Sequence, residues 1–108
     1  MKQVIYAGGT FLTGDAIAEA LLRYAEELAN HGRAASITVP AVGSEGEIEV
    51  QVLVGPASQL MAETAESGAP SGREPDGAAF VEDIRRRIDA QRNKWVRQDD
   101  MSSGDWDI

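Results

Sequence analysis

Chemistry in this chain has few residue types to draw on: its 108 residues include no cysteine and one histidine. That removes thiol nucleophiles, thiolate zinc sites and multi-histidine metal centres together. Three groupings remain. In Gly55-Pro56-Ala57-Ser58-Gln59 a β-prone run meets what reads as a helix start. There the free N–H groups of Ala57, Ser58 and Gln59, with the Ser58 hydroxyl, could hold an anion or another small ligand. Thr10 of the first hairpin and Thr13 just beyond it complete the candidate ligand set with Ser58 and Gln59. Glu45, Glu47 and Glu49 alternate, which spaces carboxylates by about 7 Å along one strand face, open to a hard cation such as Mg²⁺. A solvated face that discourages edge-to-edge pairing explains them without a metal. His31 lies at the expected end of a helix, where a lone imidazole caps rather than catalyses. No second polar cluster is visible for a substrate, so no catalytic residue, no metal and no cofactor are assigned.

The third grouping is basic. Arg85, Arg86, Arg87, Arg92, Lys94 and Arg97 share a helical pattern with an apolar stripe of Phe80, Ile84, Ile88 and Trp95. Such a helix fits a protein partner, a nucleic acid, or the chain's own core with its basic face left wet. The charges around it separate these readings. Met1 to Glu66 holds three basic and nine acidic residues, Arg85 to Arg97 six basic and one acidic, and Gln98 to Ile108 four acidic. An acidic body and tail repel a phosphate backbone, whereas an acidic surface of the same chain or of another copy attracts the helix. Trp106, set among aspartates, adds a second candidate contact, either a short linear motif or a clasp on the basic helix.

Val4 to Leu22, VIYAGGTFLTGDAIAEALL, resembles the opening strand, glycine loop and helix of the short-chain dehydrogenases, which would imply a nicotinamide cofactor. In that pattern the middle glycine leaves room for the pyrophosphate, but Phe11 stands in its place here. The second β-prone run also ends in Val39-Pro40 rather than in a carboxylate for the ribose. Gly8-Gly9 therefore reads as the tight turn of a hairpin between Val4–Tyr6 and Thr10–Leu12.

The elements that must position these groups follow from period. Ile17, Leu21, Tyr24, Ala25 and Leu28 recur at helical spacing, with Thr13 or Asp15 as the expected cap and Asn30-His31-Gly32 as a left-handed stop. Ile37 and Val39 then alternate with polar residues up to Pro40, and after the turn residues Gly43 to Gly46 a second alternation runs from Ile48 to Val54. Gly55-Pro56 is expected to open a short helix to about Glu66 that turns Leu60, Met61 and Ala65 to the sheet.

These elements predict an α+β fold in ββα-ββα order: a small antiparallel sheet of about four strands, helices on one face and a linked C-terminal helix. The expected divisions are a compact core over 1–66, a flexible Gly/Pro/Ser linker over 67–77, an amphipathic basic helix over 78–97 and an acidic flexible tail over 98–108. With no leader pattern and no long apolar run, a cytosolic location without membrane contact is expected. The functional expectation is a non-enzymatic interaction or regulatory module that forms a homodimer or binds another protein, through a sheet edge or the Phe80 to Trp95 helix. The alternatives are a small ligand at the Gly55 to Gln59 junction, possessed by a binding protein or a plain enzyme, and nucleic acid on the basic helix.

Overall fold

The structure, a computed structural model, describes residues 1–7, 9–57, 59–65 and 75–106, with side chains through Arg92. β1 (Lys2–Tyr6) and β2 (Gly9–Thr13) form the first hairpin, antiparallel, with Val4 opposite Phe11 and Tyr6 opposite Gly9. A strand that doubles straight back on its neighbour is the opposite of the strand-to-helix turn of a dinucleotide fold.

α1 (Asp15–Asn30) buries Ile17, Leu21, Tyr24 and Leu28, the stripe read from the sequence. Its start departs from expectation. Gly14 is the N-cap residue and no side chain caps the helix. Thr13 turns its hydroxyl to the carbonyl of Pro40 at 2.6 Å, and Asp15 pairs with the N-terminal ammonium at 3.0 Å. The stop is as expected: Gly32 takes φ +63°, and the Arg33 N–H returns to the Leu28 carbonyl at 2.9 Å.

β3 (Ala35–Gly43) and β4 (Gly46–Val54) form the second hairpin, paired from Ala35 opposite Val54 to Gly43 opposite Gly46. Pro40 does not end β3. Its carbonyl points towards Thr13, and the nitrogen of a strand residue points the same way as its carbonyl. The missing N–H is therefore on the β2 side, away from the β4 ladder.

The expected helix after Gly55-Pro56 is absent. Leu60–Thr64 is instead β5, antiparallel to β1 with Tyr6 opposite Leu60 and Lys2 opposite Thr64. Leu, Met, Ala and Glu favour a helix locally, but the second side of β1 offers unpaired N–H and C=O groups, and satisfying them outweighs a propensity of tenths of a kcal/mol per residue. The result is an open five-stranded antiparallel sheet in the order β4-β3-β2-β1-β5, an α+β fold.

The sheet is strongly curled. β2 meets β3 at a single residue pair, Leu12 with Val42. The Tyr6 hydroxyl of β1 nevertheless donates to the Leu53 carbonyl of β4. In a flat sheet three strand spacings, about 14 Å, would separate these strands, farther than a tyrosine side chain reaches.

α2 (Ala78–Trp106) packs on α1, so both helices belong to the same side of the fold. The core joins Val4, Ile17, Leu21, Val39, Val52 and Val54 to Ile84 and Ile88 of α2. Asp76 accepts the Ala78 N–H at 3.1 Å, and Gly77 lies so close to Ile17 that a side chain there would overlap it. Gly77 is thus packed on α1, while residues 67–74 of the expected linker lie outside the described residues. The helix also runs on through most of the segment expected as a tail, because extending a formed helix costs little even where no apolar stripe supports it. Among the described residues no helix is long and apolar enough to cross a membrane.

Candidate functional site

The curl brings the ends of the two outermost strands, β4 and β5, to one cleft of about 650 Å³. β1 forms its floor with Ile5 and Tyr6, Leu53 to Gly55 one wall, and Leu60 and Met61 the other. Pro56, Ala57 and Gln59 cross its mouth on the way from β4 to β5. The lining is mostly apolar, with the Tyr6 hydroxyl engaged by Leu53 and the Gln59 amide at the rim. Two large apolar side chains stand open to solvent beside it, Leu53 at 59% exposure and Met61 at 56%. Strand alternation explains their exposure: Val52, Val54, Leu60 and Ala62 face the core side, so Leu53 and Met61 face away from it.

This cleft contains the Gly55 to Gln59 junction picked out in the sequence, with different chemistry. No helix starts there, so no set of free helical N–H groups forms an anion cradle. Of the candidate ligand set, Gln59 rims the cleft and Ser58 lies outside the described residues. Thr10 is exposed on β2, and Thr13 is wholly buried with its hydroxyl committed to Pro40. Neither threonine lines the cleft.

The carboxylates and the histidine are placed as ordinary surface groups. Glu47 and Glu49 are exposed on β4 and Glu45 sits in the turn before it. Among the described residues no three His, Asp or Glu side chains are grouped to hold a metal. His31 closes α1, with its ring 3.3 Å from Glu27.

Among the described side chains, the basic helix makes its contacts within its own chain. Ile84 and Ile88 are buried against the core and Phe80 is half-buried on it. Arg85 and Arg86 lie 3.8 and 4.0 Å from Glu82, and Arg87 is 2.9 Å from Asp83, all within α2. Hydrogen bonding to the buried Tyr24 hydroxyl, helped by Asp83, holds the Arg87 guanidinium above its ordinary pKa. Arg92 reaches across to Glu27 of α1 at 3.4 Å. Trp95 and Trp106 lie beyond the residues whose side chains are described, although the helical backbone includes both.

Sequence reading missed the exposed pair Leu53 and Met61. Leu53 was legible as the outward member of the Val52-Leu53-Val54 alternation, but Met61 was assigned to a helix face that does not exist. No protein-family model, curated protein or solved structure matches this chain.

Proposed function

We propose that this protein is a non-enzymatic module that self-associates, and that its contact surface is the apolar end of the sheet rather than the basic helix. One observation carries the reading: Leu53 and Met61, on the two outermost strands, are more than half exposed on opposite walls of one apolar cleft. Exposed apolar side chains grouped in this way are a common mark of an interaction surface. The described part of the apolar stripe of α2, the competing surface, packs on the core, with Ile84 and Ile88 buried and Phe80 half-buried.

Light scattering across a concentration series tests this. The wild-type mass should rise above that of one chain, and Met61→Glu should return it to the monomer value, because a carboxylate on an open strand that already carries Glu63 opposes pairing. Arg86→Glu should leave the mass as it is. A wild-type chain that stays monomeric at every concentration refutes the proposal.

The volume and lining of the same cleft favour a second reading, a small apolar ligand held with the Gln59 amide at the rim, since ligand sites commonly span about 300 to 1,000 Å³. A thermal-shift series with anilinonaphthalene sulfonate and medium-chain fatty acids separates the two. A bound probe raises the melting temperature, by the equivalent of about 2.7 kcal/mol at a hundred times its dissociation constant. Self-association alone leaves the melting temperature of the wild-type chain unchanged by these probes.

A further inference from the structure

The geometry points to a defined partner for this surface: β5 of a second copy of the chain, added antiparallel about Ala62 to join two sheets into one. This inference rests on the self-association proposed above and specifies it.

Backbone direction supplies the argument. The Ala65 N–H donates to the Met1 carbonyl at 3.3 Å, which makes that pair a hydrogen-bonded one. In an antiparallel ladder hydrogen-bonded and open pairs alternate, so Gln3 with Glu63 and Ile5 with Met61 also bond across to β1. The N–H and C=O groups of Leu60, Ala62 and Thr64 consequently point away from β1. Among the described residues no strand pairs on that side of β5.

A two-fold axis at Ala62 sets Leu60 opposite Thr64 of the second copy and Ala62 opposite its own counterpart. All three outward-pointing residues then meet outward-pointing residues, the pairing an isologous dimer requires. Charge agrees with this register. Glu63 falls opposite Met61 of the second copy, so no carboxylate directly faces another, and each Met61 gains a neighbour that covers part of its exposed surface. The other outer strand is less suited to the role, because Glu47 and Glu49 line it with exposed carboxylates, a usual guard against strand addition. A five-residue strand with one apolar flank makes a small interface, so the dimer should dissociate on dilution.

The absence of cysteine allows a direct test of register. Met61 and Glu63 of the second copy would form an open pair, with Cα atoms about 4.5 Å apart, within disulfide range. A mixture of Met61→Cys and Glu63→Cys chains should give a disulfide-linked dimer on mild oxidation, in excess of either variant alone. Ala62→Pro should lose the dimer while keeping the circular dichroism of the folded chain, since it removes an N–H that β1 does not use. Should that variant fail to fold, Thr64→Pro makes the same deletion nearer the strand end. Persistence of the dimer in a folded proline variant, or a mixture that cross-links no better than its components, overturns this pairing and leaves self-association through another surface standing. A monomeric wild-type chain removes both.

Discussion

At the scale of single residues, most groups with chemical potential are committed to holding the fold. Thr13 is the clearest example, because its fully buried hydroxyl joins the end of β2 to β3 through Pro40. Replacing it by the isosteric valine keeps the volume but leaves the Pro40 carbonyl without that donor. Thr13→Val should cost about 1 to 3 kcal/mol, the penalty for an unmet buried acceptor, read as a lower melting temperature with the circular dichroism spectrum unchanged. Arg87 is committed in the same way to Tyr24 and Asp83. A raised pKa on a cation stabilises the fold at every pH below its unfolded value and is lost only as pH climbs through the folded one. That window lies above the ordinary range, so Arg87 should contribute no pH dependence near neutrality.

At the scale of elements, the decisive fact is that α2 is part of the core. Ile84 and Ile88 lie against α1, Gly77 allows the approach to Ile17, and the largely exposed Arg92 pairs with the mostly covered Glu27 at 3.4 Å. With one partner still in solvent the ion pair contributes little, whereas the isoleucines supply the adhesion. Ile84→Ala should cost about 2 to 5 kcal/mol. In a urea melt followed by fluorescence and circular dichroism the midpoint should fall, and limited proteolysis should cut within α2 sooner than in the wild type. An unchanged midpoint would mean that α2 does not need the core. The apolar stripe of this helix was legible in the sequence, but the identity of the surface covering it was not, since that depends on residues of α1 some sixty positions earlier.

At the scale of the whole molecule, a formal charge of -8 conditions any assembly of identical copies. Of the arginines whose side chains are described, Arg85 and Arg86 share Glu82, Arg87 lies by Asp83 and Arg92 by Glu27, so part of the basic block is offset within the chain while the molecule as a whole stays acidic. Two copies therefore approach against net repulsion, which salt screens over about 8 to 10 Å at physiological strength. Raising sodium chloride from low to moderate concentration should increase the weight-average mass in sedimentation equilibrium. A fall in mass would show attraction between opposite charges holding the copies together. Binding to nucleic acid would have the opposite salt dependence from that expected here, because it is driven by counterion release.

The residues by themselves determined the α+β class, the two hairpins, the span of α1 with its Gly32 stop, and the apolar stripe that begins α2. Each rests on signals between near neighbours: a period of two or of 3.6, a turn residue, a left-handed glycine. Tertiary structure alone decided that Leu60–Thr64 is a strand, that β3 continues through Pro40, that the Thr13 hydroxyl serves β3 instead of capping α1, and that Leu53 and Met61 share one cleft. In each case the deciding partner is distant in the chain: β1 for β5, Thr13 for Pro40, Tyr6 for Leu53. A local pattern records which side chains are apolar and how they repeat. Which unsatisfied backbone groups a segment will meet is settled only when the chain has closed on itself.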